Sequence, residues 1–385
     1  MISLSLNPET ESLRKELRSW LKDNPPPQLA EKVSLEEFIN VSRVWQGKLA
    51  SGNWVGVHWP EEFGGRGLSI VEEAVVQEVL AEAGSPQLIN IFGLTMVGPV
   101  LIKHGSSDQK KRFLPKILTA EEVWCQGFSE PEAGSDLASL KSTAVLNDSG
   151  DWIIEGQKVW TSFAQVAEWC FMLARTDSAA AKHKGLSYFL VPMKSEGITV
   201  RPLTQISGDK EFNEVFFDNV AVPPENMVGK PGDGWNIAIS TLMYERVVLT
   251  FARHLQSESA LQDIARLLEE RSASEDLRAR YGMLKAKSMA LRALALSHLV
   301  QYKDGGHPGP EGSMDKLLWS EVFQEINEFG LELLGADSVY SDGECAWADG
   351  LFQHRYLYSR GRTIAAGTSE IQRGIIAQRV LGLPR

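Results

Sequence analysis

The chain has 385 residues, of which 43% are hydrophobic and 23% charged, and its 50 acidic against 39 basic side chains leave a net charge of −11. That length exceeds one ordinary core and predicts two or three domains, while the acidic balance argues against a nucleic-acid binder, which needs a basic footprint. No apolar run approaches the ~20 residues that span a bilayer. Met1 to Thr10 lacks the basic stretch and apolar core of a secretory signal, so a cytoplasmic protein without membrane contact is expected.

Along the chain, Leu13, Leu17 and Trp20–Leu21 recur at helical spacing, and Pro25–Pro26–Pro27 ends that helix. Val71, Ala74–Val75, Glu78–Val79 and Glu82 mark another helical stripe, and Gly64-Gly65-Arg66-Gly67 predicts a tight turn. From about Val123 to Val222 the character changes. Trp152–Ile154, Lys158–Trp160, Leu186–Val191 and Val215–Phe217 are short β-branched and aromatic runs, with Asn147–Gly150 and Asp218–Asn219 read as turns. Strands this close leave no room for crossover helices, which excludes a parallel α/β sheet and predicts a small antiparallel, barrel-like domain. Helices return from Gly234 to the end, interrupted by an expected exposed loop at Gly305–Gly312. The order helices, strands, helices gives an α+β class, with domains expected at 1–122, 123–231 and 232–385.

Several chemistries are absent from the sequence. It has no G-x-x-x-x-G-K-[ST], no G-x-G-x-x-G and no H-E-x-x-H. Its seven histidines are scattered and none has a partner at metal-ligand spacing, so no metal is expected. Cys125, Cys170 and Cys345 are far apart and predict reduced thiols without a disulfide or zinc site. Any redox cofactor is therefore held by something other than a βαβ dinucleotide fold.

Three segments are informative. Residues 124–136 read Trp-Cys-Gln-Gly-Phe-Ser-Glu-Pro-Glu-Ala-Gly-Ser-Asp, residues 157–162 read Gln-Lys-Val-Trp-Thr-Ser, and residues 364–373 read Ile-Ala-Ala-Gly-Thr-Ser-Glu-Ile-Gln-Arg. Together, and in this order, they resemble the acyl-CoA dehydrogenase family, as does the helix–strand–helix order of the whole chain. The resemblance implies an FAD enzyme that removes two hydrogens from the Cα–Cβ bond of an acyl-CoA thioester and passes electrons to an electron-transfer flavoprotein. It identifies the first segment as the flavin-binding loop, the second as a strand under the isoalloxazine, and the third as a C-terminal Gly-Thr turn and helix.

The residue types suit those roles. A Gly- and Ser-rich loop exposes N–H groups and hydroxyls at no steric cost. By resemblance, Gln126, Phe128, Ser129, Gly134 and Ser135 line the flavin, with Ser135 also near the thioester arm. Trp160 would lie against the flavin ring, and Ser162 would hydrogen-bond its reactive edge. Thr368 and Glu370 open the last helix, whose first N–H groups are free donors. Taken alone, a Gly/Ser loop or a strand tryptophan is an ordinary structural feature.

The reaction needs a carboxylate base opposite the flavin. Many family members place a glutamate immediately before the Gly-Thr of the third segment, but Ala366 stands there. A second branch puts the base on a C-terminal-domain helix just before an arginine, and Glu245-Arg246 matches that place. Leu242, Glu245, Leu249 and Ala252 share one helix face, so Glu245 interrupts an apolar stripe; a buried salt bridge is the alternative reading. Arg246 would limit any rise in the carboxyl's pKa or face the phosphopantetheine. The backbone N–H of Ala366, beside Gly367, would bind the thioester oxygen, which explains how alanine suffices there.

Arg271 falls where many members carry an arginine that reaches a neighbouring subunit's flavin, although Ser272–Glu275 lacks the usual aromatic-glycine pair. Glu332 replaces the usual glutamine of a subunit-crossing contact. The resemblance implies a homodimer or homotetramer, with a heteromer as alternative. Two other readings stay open: a same-fold flavin oxidase, monooxygenase or desulfinase, and a non-catalytic subunit of a heteromeric dehydrogenase.

Overall fold

The structure, a computed structural model, describes residues 8–29, 33–302 and 309–384, with the side chains of 245–252 and 302 outside that description. The amino-terminal part is helical: α1 (Pro8–Asp23), α2 (Leu35–Ser51), α3 (Ile70–Glu82), α4 (Gly98–His104) and α5 (Ser107–Thr119). The α1 stripe Leu13, Leu17 and Leu21 is buried as its spacing predicts, and the helix ends before the three prolines. Capping boxes start two of these helices, Ser69 with Glu72 at α3 and Ser106 with Gln109 at α5. The glycine turn forms, with Gly64 in the left-handed region and its N–H on the Glu61 carbonyl at 3.0 Å. A feature the sequence did not announce is a π-turn over Gly93–Val97, entirely buried, which runs into α4.

Eight strands follow: β1 (Trp124–Gly127), β2 (Thr143–Leu146), β3 (Trp152–Lys158), β4 (Trp169–Arg175), β5 (Leu186–Pro192), β6 (Ile198–Pro202), β7 (Asn213–Val222) and β8 (Met227–Val228). They form one sheet in the order β6-β7-β3-β2-β4-β5-β8, with β1 paired to β4. Among the described residues no ladder joins β6 to β8, so the sheet is an open path. Its ladders are antiparallel except that β1 runs parallel to β4 and one β2–β4 pairing is also parallel. The β2–β3 hairpin between β1 and β4 lets them run parallel without a crossover helix.

On β4 and β5 successive side chains serve different cores. Phe171, Leu173, Tyr188 and Leu190 pack into the cluster shared with the amino-terminal helices, whereas Cys170, Met172, Phe189 and Val191 fill the opposite side. Covering both faces makes β5 a continuous apolar run rather than an alternating one. Asp218–Asn219 is not a turn, as the sequence suggested, but a bulge inside β7. Phe217 and Val220 face Gly156 and Ile154 of β3, so two residues of β7 oppose one of β3. Asn219 takes the left-handed conformation at φ 53°, which asparagine tolerates.

The rest is helical: α6 (Gly234–Glu270), α7 (Glu275–Tyr302), α8 (Gly312–Leu334), α9 (Leu351–Arg360) and α10 (Ser369–Ile375). Half of the expected loop at Gly305–Gly312, residues 305–308, lies outside the described residues, and Gly312 itself opens α8. The 37-residue α6 ties the parts together. Ile237 and Ala238 enter the amino-terminal core, while Ala260, Leu261, Ile264, Leu267 and Leu268 enter the bundle core with α7 and α8. A buried charge cluster fastens the helical parts directly: the Glu78 carboxylate of α3 receives Arg14 of α1 at 2.5 Å and Arg292 of α7. Among the described residues no helix is long and apolar enough to cross a membrane, and no group of acidic, histidine or cysteine side chains is arranged to hold a metal.

Candidate active site

The first informative segment is half strand, half loop. Its Trp124–Gly127 forms β1, which four residues without alternation did not reveal. Gln126 is half-buried, and its Nε2 is buried with no hydrogen-bond partner. Beyond the strand, the Phe128 ring is buried edge-on against Phe171 at 5.8 Å and Tyr188 at 6.1 Å, so its side chain serves the core. Ser129 is half-buried, and Gly134 and Ser135 lie exposed at the tip of the loop.

The second segment meets the first at the end of β3. The Val159 N–H donates to the Ser129 carbonyl at 2.9 Å. Trp160 is not on the strand, as expected, but beyond it. Its backbone is left-handed at φ 59°, and its ring is 59% exposed, with an edge toward Phe212 at 5.9 Å. A bulky residue in that backbone region is strained, and an exposed tryptophan forgoes most of its burial energy. Both costs at one residue mark a site rather than a core position. Next to it, Thr161 is fully buried and its Oγ1 has no partner. Its backbone is clamped by Asn213: the Thr161 N–H donates to the Asn213 carbonyl at 3.0 Å, and Asn213 Nδ2 returns a bond to the Thr161 carbonyl at 3.0 Å. Ser162 is half-buried on the same turn. Sequence reasoning missed both Thr161 and Asn213; their only signal was polarity beside strand residues.

The third segment forms the expected turn and helix. Thr368 is the N-cap of α10, its hydroxyl accepting from the Ile371 N–H at 3.3 Å. Ala366 and Gly367 are both left-handed, at φ 56° and 89°. Gln372 locks them, its Nε2 donating to the Ala366 carbonyl at 2.8 Å and the Gly367 carbonyl at 3.3 Å. Among the described residues the N–H groups of Ala366 and Gly367 donate to nothing. Glu370 is exposed; its own backbone N–H and the Thr368 hydroxyl hold its carboxyl below the usual range.

No hydrogen bond among the described residues joins this segment to the first two. The 205–213 loop instead links the second segment to α9. The Phe163 N–H donates to the Glu211 carbonyl at 2.7 Å, and His354 of α9 meets Asp209 at 2.8 Å. Burial raises the Glu211 carboxyl. Burial, with Arg253 nearby, pushes the Arg362 guanidinium down to about 10, and the Glu211 and Asp209 carboxylates only partly offset this.

The remaining expected residues are dispersed. Residues 245 and 246 lie in α6, but the side chains of Glu245 and Arg246 lie outside the described residues. Arg271 caps the end of α6 and is paired within the chain to Asp337 at 2.5 Å. Glu332 is paired likewise to Arg280 at 2.5 Å.

Three adjoining family profiles match the chain: the acyl-CoA dehydrogenase N-terminal domain over residues 7–121, the middle domain over 125–220 and the C-terminal domain over 232–381. The chain is 40% identical to the acyl-CoA dehydrogenase IpdE1 of Mycolicibacterium smegmatis over 98% of both proteins. The solved "Tcur3481-Tcur3483 steroid ACAD" superposes with a TM-score of 0.86 at 28% identity over 100% of both chains. The ChsE4-ChsE5 complex from Mycobacterium tuberculosis does so with a TM-score of 0.85 at 28% identity, again over 100% of both chains.

Proposed function

This chain belongs to the acyl-CoA dehydrogenase family of oxidoreductases, and from that premise we propose that it oxidises the Cα–Cβ bond of an acyl-CoA thioester to the trans-2-enoyl-CoA, with Glu245 as the base. Its cofactor is FAD. The residues present fit that group: Gln126 Nε2 and Thr161 Oγ1 are buried polar atoms without a protein partner, and the exposed Trp160 ring offers a flat face. FAD, when bound, supplies the acceptor for the hydride that leaves Cβ.

The chain's own residues do the rest. Glu245 takes the α-proton, and the electron pair of the Cα–H bond becomes the new double bond as the Cβ hydride departs. The α-proton of a thioester is too weakly acidic for a carboxylate acting alone, so the carbonyl oxygen needs preorganised donors. The undonated Ala366 N–H on the Gln372-locked turn is one such donor. Gln126, Ser129, Gly134, Ser135 and Ser162 hold the cofactor, with Thr368 and Glu370 at the start of α10. Ser135, Arg246 and Gly367 contact the substrate.

The observation that carries the reading is the strained, exposed Trp160 next to buried polar atoms that lack partners. For the acyl group we propose a ring-bearing substrate. Ala365 and Ala366 are small, and the π-turn Gly93–Val97 packs against α6, which carries Glu245; the similarity to a steroid ACAD points the same way. Electrons then pass to an electron-transfer flavoprotein in the cytoplasm. Ile364, Leu381 and Leu383 are exposed on the C-terminal segment, which supports a homodimer or homotetramer. The test is anaerobic titration of the yellow protein with a panel of thioesters. Bleaching by ring-bearing acyl-CoA ahead of straight-chain acyl-CoA is expected, and a flavin that no thioester bleaches defeats the reading.

A further inference from the structure

One buried ion pair at the site has no part in the chemistry above. Lys158, the last residue of β3, is fully buried, and so nearly is Glu130 in the loop after β1. The Lys158 ammonium donates to Glu130 Oε1 at 2.8 Å and to the Phe128 carbonyl at 3.3 Å. Glu130 also accepts the backbone N–H groups of Lys141 at 2.6 Å and Ser142 at 2.9 Å. Burial alone would raise this carboxyl, but Lys158 and those donors hold it below the usual range, while burial pulls the Lys158 ammonium down.

Such a pair is expensive to bury, and an apolar pair of the same size is often as stable. Its placement suggests why it is here. Phe128 and Ser129 lie just before Glu130, and Trp160 and Ser162 lie just after Lys158. The loop from 130 to 142 carries Gly134 and Ser135 and is closed at its base by the Glu130 carboxylate. Further along, Arg175 holds the Ala138 carbonyl at 2.9 Å, while the outer side chains make exposed pairs, Lys141 to Glu132 and Lys182 to Asp136, of a kind that contributes little. Glu130 thus anchors the base of the loop through both its backbone and its carboxylate.

We propose that Glu130 and Lys158 are a positioning pair for the cofactor: they hold the loop after β1 and the turn after β3 in one register, so that both present a single surface to FAD. This rests on the cofactor placement given under Proposed function. The pair touches neither FAD nor substrate and acts through the backbone of Phe128, Ser129 and Val159.

The test compares the wild-type holoprotein with Lys158→Arg, Lys158→Met, Glu130→Gln and the double variant Glu130→Gln/Lys158→Met. FAD release is followed by flavin fluorescence, the bound flavin by visible circular dichroism, and folding by thermal melting. In Lys158→Met, FAD binding should weaken about tenfold or more, as when supporting groups behind a ligand are removed, with an altered flavin dichroism band. Lys158→Arg, which keeps the donors, should stay within about threefold of wild type. The double variant leaves no unpaired charge; it should melt close to wild type yet keep the weakened FAD and altered band. A double variant that melts like wild type and also holds FAD like wild type overturns the proposal. So does failure of all the Lys158→Met and Glu130→Gln variants to fold, since the pair would then be a stability element only. A wild-type chain that holds no FAD overturns the cofactor placement and this inference with it. A wild-type chain that holds FAD but is not reduced by any thioester overturns the proposed reaction alone, and the FAD comparison still decides the positioning role.

Discussion

The cradle built from the first two segments and the turn built from the third each have a buried amide lock, Asn213 and Gln372, but differ in the charged groups around them. In the cradle the fastening groups are buried: Asn213 and Thr161 clamp each other, and Glu130 and Lys158 pair out of water. Around the C-terminal turn the ion pair of Arg373 with Glu321 is exposed, and apolar side chains such as Ile364 face solvent. The cradle's fastenings lie out of water within one chain, whereas the C-terminal segment leaves Ile364, Leu381 and Leu383 exposed.

That contrast can be broken at several strengths. Asn213→Ala removes the donors to the buried Thr161 carbonyl and the part-buried Glu211 carbonyl and should cost about 3 kcal/mol, read as a lower urea midpoint with FAD loosened; a midpoint within error of wild type would mean the clamp is dispensable. Acid sharpens the same point. The Glu130 carboxyl is depressed in the folded state from its ordinary value of 4.5. Its contribution is therefore fully present above that pH and fades as pH falls below it. Glu130→Gln should flatten the fall of stability below pH 4.5, and an unchanged acid slope would contradict the depressed carboxyl. Gln372→Ala unlocks the Ala366–Gly367 turn and should lower kcat about tenfold, or ~1.4 kcal/mol, with FAD retained. Arg271→Ala should change stability by only about 0–1 kcal/mol. If a second copy uses Arg271, however, that variant should lose flavin on dilution sooner than wild type does.

How much was legible in the sequence follows the same division. The stripe of α1 and the apolar run of β5 could be read because burial on one face or two leaves a periodic or continuous signature. The strand β1 could not, since four residues carry no period and Gln126 with Gly127 reads as a loop. Asp218–Asn219 has the composition of a turn, and only its place opposite the single residue Glu155 of β3 makes it a bulge. The candidate flavin loop, Trp160, Ser162 and the Gly367–Thr368 turn were singled out by resemblance, but the left-handed backbone of Trp160 was not foreseeable from its residue type. Asn213 and the Glu130–Lys158 pair were invisible because each acts across a distance in sequence that no local pattern records, and Gln372, though it reaches back only to Ala366 and Gly367, carries no residue-type signal of that lock.

Whether Glu245 acts as the proposed base is read from anaerobic stopped-flow reduction of wild type and Glu245→Gln by an acyl-CoA that bleaches the wild type. Loss of a general base should slow flavin bleaching about 10²–10⁴-fold while the variant keeps its FAD spectrum. A Glu245→Gln protein that bleaches at the wild-type rate would contradict the account.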